Sequence, residues 1–345
     1  MTKKRVTLAH VAEEAGVSRT TASFVMSGRT DMRISEDSQH RVRAAAERLG
    51  YRPNQTARSL RTNVTRTLGL VSDTIASTQY AGEIIRGASD EAQERGLMAI
   101  VAETQADPRL ERDLIQELLD RQVDGFVYAI MGPRHSEPPE ALRHSQVVLL
   151  QCLGGDFDVP RIIPDDFQAG REAARALVEA GHLEGVHAIG AHHRTEAQPD
   201  GIDAGNERMR GAEEVLAEHG TAFAGVWQCV WEPQDGYRAT RALLDSGSRP
   251  RALVCANDRV AMGAYQALQE DGVGIPEDVS VVSFDNSELA AWLRPGLSSV
   301  NLPYYEMGRL SVRLLLDPAA ERTLHHVPML MRERESVARV GGSAV

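Results

Sequence analysis

Leu8-Ala9-His10-Val11-Ala12-Glu13-Glu14-Ala15-Gly16-Val17-Ser18-Arg19-Thr20-Thr21-Ala22-Ser23-Phe24-Val25 decides how the N-terminal part of the chain folds. Leu8, Val11, Ala12 and Ala15 recur at i, i+3, i+4 and i+7, which puts four apolar side chains on one helical face, with Thr7 placed to cap the start. Gly16 ends that helix, Val17 plugs the turn and Ser18 caps the next. The second helix is too short to stand alone, so Ala22 and Val25 must pack back on the first. Ser35 then caps a third helix, with Glu36 and Asp37 in the favourable first turn and Val42, Ala45, Ala46 and Leu49 on one face. Three short helices with a tight turn between the first two make a helix-turn-helix unit.

The polar face of the second helix points to its partner. Arg19, Thr20 and Ser23 form hydrogen bonds but lack the acidic neighbours of a merely solvated face. An arginine can pair bidentately with guanine in the major groove, and serine or threonine can reach phosphate or a base edge. Charge agrees. Residues 1–62 hold 12 Lys/Arg against 6 Asp/Glu, a net of +6, while the remainder holds 26 against 43, a net of −17. A basic headpiece attracts a phosphate backbone that the acidic body repels. After Tyr51, Pro53 blocks continuation of the third helix and Asn54 can cap a fourth, very short one. Leu60, flanked by Arg58 and Arg61, suits insertion into a minor-groove base step.

From Thr67 strands and helices alternate. Strand-like runs at 68–71, 98–101, 125–128 and 147–150 interleave with helices at 83–95 and 110–119. A second series follows: strands at 186–189, 226–230, 252–256 and 279–284, and helices at 170–180, 208–218, 237–244 and 260–269. This order predicts two doubly wound parallel sheets, with ligand sites outside the carboxyl ends of the strands.

Two headpiece motifs, Leu8-Ala9-x-Val11-Ala12-x-x-Ala15-Gly16-Val17-Ser18-x-x-Thr21 and Tyr51-x-Pro53-Asn54-x-x-Ala57-Arg58-Ser59-Leu60, closely resemble the lactose-repressor/galactose-repressor family. In the body, Cys255-Ala256-Asn257-Asp258, Ile275-Pro276-Glu277-Asp278 through Asp285, Leu297-Ser298-Ser299-Val300 and Arg332-Glu333-x-x-Ser336 extend the likeness. The resemblance implies an all-α helix-turn-helix headpiece with a hinge helix, joined to a two-lobed α/β body resembling periplasmic sugar-binding proteins. The expected division is a DNA-binding domain at 1–52, a hinge helix and linker at 53–64, and an effector-binding and dimerisation domain at 65–345. Within the last, lobe one is expected at about 65–165 plus 297–331 and lobe two at about 166–296 plus 332–345.

Carried over by position, the resemblance implies base reading by Arg19, Thr20 and Phe24, a phosphate contact by Thr21, pairing of hinge helices at Ala57 and an intercalating Leu60. Thr7, Ser18, Tyr51, Asn54 and Arg58 complete the expected DNA-binding set. Phe24 stands where the family commonly has a polar or basic residue, and the link at residues 28–34 is longer than the family's. For the effector, it implies Asp73 with Ser77 and Tyr80 after the first strand, Arg208 in Arg208-x-x-Gly211, Trp231 stacking on the ligand, and Asp258 accepting from sugar hydroxyls. Asp165 and Asp285 are further strand-end carboxylates. The stretch Thr78-Gln79-Tyr80-Ala81 replaces the family's Asn-Pro-Phe-Phe, which departs from a standard purine or simple hexose template. His192, His193 and Arg194 are either ligand contacts or a solvated loop.

Carboxylates, an arginine and an indole together favour a polyhydroxylated ligand, a sugar or small oligosaccharide. The partners implied are a near-palindromic operator, that effector and a second copy of the chain. With no leucine heptad before Gly341, a dimer is expected rather than a tetramer. The alternatives are a regulator activated by a co-repressor from a non-sugar pathway, a transport-type binding protein, or an enzyme on the same scaffold. An enzyme is disfavoured, since neither G-x-G-x-x-G nor a P-loop occurs. No cofactor or metal is expected, because Cys152, Cys229 and Cys255 are scattered in apolar runs. No apolar run approaches the roughly 18 residues of a membrane span, and a cytoplasmic location is expected.

Overall fold

Among the described residues of the N-terminal unit three helices pack together, because each apolar face is too narrow to be buried alone. The computed structural model describes residues 6–27, 33–51, 64–75, 82–191 and 204–340. The chain divides into Met1–Thr65 and Arg66–Val345. In the first unit α1 spans Leu8–Ala15, α2 Arg19–Met26 and α3 Glu36–Leu49. Gly16, at φ 62°, turns its N–H onto the carbonyls of Ala12 and Glu13 and stops α1. Ser18 Oγ accepts from the Thr21 N–H at 3.0 Å and starts α2. Val11, Ala22, Val42 and Ala45 meet in a fully buried core, with Val17 packed beside them.

The second unit holds two sheets. Lobe one contains β1 (Thr67–Ser72), β2 (Met98–Glu103), β3 (Gly125–Arg134), β4 (Val147–Cys152), β5 (Arg161–Pro164) and β11 (Leu324–Val327), ordered β11-β5-β4-β3-β1-β2. All its pairings are parallel. Helices α4 (Gly82–Glu94) and α11 (Tyr304–Leu316) cover one face, and α5 (Pro108–Asp120) the other. Lobe two contains β6 (Val186–Ile189), β7 (Gly225–Trp227), β8 (Ala252–Cys255), β9 (Ser280–Asp285), β10 (Ser298–Asn301) and β12 (Met331–Arg332), ordered β12-β10-β9-β8-β6-β7. Only β12 runs antiparallel there. Helices α6 (Asp166–Glu179) and α7 (Ala204–Glu218) cover one face, α8 (Pro233–Asp245) and α9 (Asp258–Glu270) the other, and the short α10 spans Glu288–Trp292.

The helices pack through reciprocal glycines. A Cβ on Gly170 of α6 would strike the Arg208 carbonyl of α7, and one on Gly211 of α7 would strike the Phe167 carbonyl of α6. The same exchange joins Gly236 of α8 with Gly263 of α9, and Gly87 of α4 with Gly308 of α11. Backbone therefore lies against backbone at each of these pairs.

The chain crosses between lobes three times, between β5 and α6, β10 and α11, and β11 and β12. The second crossing corrects the expected boundary near 297. Ser298–Asn301 reads as polar, yet Ser298 and Ser299 are buried strand residues of lobe two, so the chain leaves that lobe after Asn301. Their hydroxyls are satisfied inside: Ser299 donates to Asp258, and Ser298 Oγ accepts from the Arg334 N–H at 2.9 Å. The strand expected at 226–230 ends at Trp227, and α8 begins four residues before Tyr237 because Pro233 fits the first helical position. The short strands β5, β11 and β12 and helices α10 and α11 were not anticipated by periodicity. Among the described residues no helix is long and apolar enough to cross a membrane.

Candidate functional site

The headpiece places its expected base-reading residues as α2 requires. Ala22 and Val25 face the core, which leaves Arg19 and Thr20 exposed and Phe24 half-buried. Among the described residues Arg19 has no carboxylate partner, whereas Arg41 pairs with Asp37 at 3.2 Å and Arg48 with Glu14 at 3.0 Å. Thr21 is half-buried, its hydroxyl 2.8 Å from that of Ser18. Thr7 is exposed at the start of α1, its N–H donating to His10 Nδ1 at 3.3 Å. Tyr51 packs against the three-helix core. Asn54, Ala57, Arg58 and Leu60 lie outside the described residues, as do Ser77, Tyr80, His192 and His193.

In lobe two the structure brings together Arg208, Trp231 and Asp285, which lie far apart in sequence. Arg208 is 3% exposed at the start of α7. Its Nε donates to Asp166 at 2.9 Å and its Nη1 to the Ala256 carbonyl at 2.9 Å, with Asp285 at 4.0 Å. The guanidinium carbon lies 5.4 Å from the Trp231 ring centre and 4.7 Å from that of Phe284. Trp231 Nε1 donates to the Gly190 carbonyl at 2.8 Å, which fixes the indole. Among the described residues nothing takes up Arg208 Nη2. The fork is held on two sides and open on the third.

Asp166 is the member of this cluster that the sequence does not single out. Asp165 caps α6, accepting from the Gln168 N–H at 3.1 Å, while Asp166 turns inward to Arg208. The signal was present: Asp166, Ala169, Gly170 and Ala173 share the buried face of α6.

Charge is finely balanced here. Burial pushes the Asp166 carboxyl up, and Arg208 pulls it part of the way back. Burial likewise pushes Asp285 up to about 8, with the Asp258 carboxylate adding and Arg208 and Arg259 opposing. Burial would lower the Arg208 pKa, but Asp166 and Asp285 more than offset it.

Two expected ligand carboxylates are taken up by the protein. Asp258 is fully buried and accepts from Ser283 Oγ and Ser299 Oγ at 2.7 Å each, and from the Ser287 N–H and Oγ at 2.7 and 2.8 Å. With four donors in place it has no room for sugar hydroxyls. Asn257, not Asp258, caps α9. Asp73, at the end of β1, accepts from Arg134 Nη2 at 2.6 Å and from the Met131 N–H at 3.0 Å.

A cavity of about 1140 Å³ lies between the lobes, lined from lobe one by Glu83, Tyr304 and Tyr305 and from lobe two by Arg259, Asp285 and Trp292. Its size is just above the range of small-molecule pockets, roughly 300–1,000 Å³. Asp285 links it to the Arg208 cluster, lining the one and touching the other. Tyr304 is a second link unseen in the sequence, its phenol pushed up by burial and by Asp285.

Known proteins are similar to this chain in sequence and fold. Residues 7–54 match the family described as bacterial regulatory proteins, lacI family, and residues 174–337 a periplasmic binding protein-like domain. The chain is 35% identical to the HTH-type transcriptional regulator AscG of Escherichia coli (strain K12), over 87% of this chain and 88% of that one. A complex of the transcriptional regulator CelR with cellobiose is 29% identical and superposes with a TM-score of 0.64, over 96% of this chain and 100% of that one. A lac repressor dimer bound to operator and an anti-inducer shares the fold at 22% identity, with a TM-score of 0.75 over 97% of this chain and 100% of that one. The chain therefore belongs to the lacI family of bacterial regulatory proteins, and it is a DNA-binding transcriptional repressor rather than an enzyme.

Proposed function

We propose that a polyhydroxylated ligand, a sugar or small oligosaccharide, binds between the lobes and switches the protein's affinity for a near-palindromic operator. The observation that carries this reading is Arg208, buried beside two carboxylates and an indole with Nη2 uncommitted. Nη2 donates to a ring or hydroxyl oxygen, Asp285 accepts from or donates to a hydroxyl, and Trp231 bounds the apolar side. The cellobiose complex of CelR supports the same ligand class. On DNA, Arg19 and Thr20 read base edges, Phe24 meets an apolar edge such as a thymine methyl, and Leu60 enters the minor groove. Two copies present two headpieces to two half-sites. Ligand acts by favouring one arrangement of the lobes, which orders or releases the segment at 54–60.

A thermal-shift screen of neutral pentoses, hexoses and β-glucosides beside purine bases tests this. A sugar that raises the melting temperature should also change operator affinity. A purine acting instead of any sugar would replace the reading with a co-repressor one.

A further inference from the structure

Asp285 and Asn286 sit on the turn between β9 and α10 with φ of 101° and 48°. Non-glycine residues hold such a backbone only where the surroundings impose it. Here the surroundings are β10 and the segment that follows β12, on the side of lobe two from which the chain leaves and to which it returns. The Asn286 N–H donates to Ser299 Oγ at 2.9 Å, and its Nδ2 to Asn301 Oδ1 at 3.0 Å. Its Oδ1 accepts from Arg334 Nη2 at 2.7 Å, while Arg334 Nη1 donates to the Leu297 carbonyl at 2.7 Å. The Leu302 N–H donates to the Asp285 carbonyl at 3.3 Å. Asp258 ties down the far side of the turn through Ser287. Asn301 is the last residue of β10 and Leu302 the first of the second crossing, and Arg334 lies two residues past β12, the strand at which the third crossing has re-entered lobe two. The turn that presents Asp285 to the cavity is thus bonded to the start of the second crossing and, through Arg334, to the segment just past the third.

We propose that Asn286 is a positioning residue of the switch, which sets the crossings according to the position of Asp285. A pull on Asp285 is passed through Asn286 to Asn301 and through the Asp285 carbonyl to Leu302, where the chain leaves lobe two. The network holds one lobe arrangement in the empty protein, and loosening it shifts the balance without any ligand. The inference rests on the cleft reading for what pulls Asp285. Its test uses no ligand, so the two fail separately.

Asn286→Gly keeps the left-handed backbone and drops both side-chain bonds. Arg334→Lys keeps the charge and loses the fork that spans Asn286 and Leu297. Each full-length variant is titrated, without sugar, against the duplex that wild type selects from a random pool, and its melting temperature is measured alongside. The expected result is a change in operator Kd of about fivefold or more, in the same direction for both, with melting within about 4 °C of wild type. Operator Kd within about twofold of wild type in the folded variants, or failure of both to fold, would make the network structural and overturn the proposal.

Discussion

Arg208 donates to Asp166 at 2.9 Å with both side chains at most 4% exposed, a buried ion pair that joins α6 to α7. Removing one partner of such a pair strands the other, whereas replacing both by apolar groups of similar volume is often neutral. Asp166→Ala should lose about 3–5 kcal/mol. The double variant Asp166→Leu with Arg208→Met should regain most of that stability and still fail to respond to ligand. Urea denaturation with an unchanged slope reads the stability. A single variant as stable as wild type would show that the pair does not hold the helices.

The glycine exchange between α6 and α7 sets where Arg208 stands. Alanine is the better helix former by about 1 kcal/mol, but at Gly170 or Gly211 its Cβ meets a facing carbonyl that cannot swing away. The collision wins. Gly170→Ala should destabilise by about 1–3 kcal/mol and displace Arg208, weakening ligand affinity as well. Gly82→Ala, where no atom lies within 4 Å, should be neutral or slightly stabilising. Equal thermal shifts for the two variants would contradict this packing.

Asp285 makes stability depend on pH in an unusual direction. Its folded pKa, about 8, lies above the unfolded value of about 3.9, so between those values the folded state holds a proton that the unfolded state has released. The stability it contributes is complete below about pH 4 and is lost as pH rises through about 8. Asp285→Asn should flatten the fall in melting temperature between pH 5 and about 8.5. Asp166, also raised, leaves a residual slope of the same sign. A wild-type profile that rises across this window would rule out a protonated Asp285.

On the headpiece, Arg19 is exposed and unpaired among the described residues, so its loss should act on DNA and not on folding. Arg19→Ala should cost about 1–3 kcal/mol of operator binding and relax preference at one base pair per half-site. Selection from a random pool with the variant reads the preference. An unchanged consensus would move base reading elsewhere.

Local patterning made the headpiece legible. Gly16, Val17 and Ser18 act at the positions where spacing placed them, because caps and turns depend on near neighbours. Alternation gave most of both sheets. Of the residues that meet around Arg208, the sequence pointed to Arg208, Trp231 and Asp285 but to Asp165 where the structure has Asp166, and only the buried face of α6 separates those two. The surroundings of Asp258 were not legible, because its partners, Ser283, Ser287 and Ser299, come from later strands and a turn, and nothing within Asn257-Asp258 shows that three serines will surround it. The strand at Ser298–Asn301 escaped for the same reason, since its hydroxyls are polar in sequence and satisfied only by the fold.

The central claim is that ligand bound at Arg208 changes operator affinity. Operator titration of wild type and Arg208→Lys, each with and without saturating amounts of the sugar that most stabilises wild type, tests it most directly. Lysine keeps the charge, but its single nitrogen cannot reach the separate positions that the arginine fork spans between Asp166, the Ala256 carbonyl and the ligand. On adding the sugar, the wild-type operator Kd should change by about tenfold or more, and that of the variant should not change. An equal response in both proteins would contradict it.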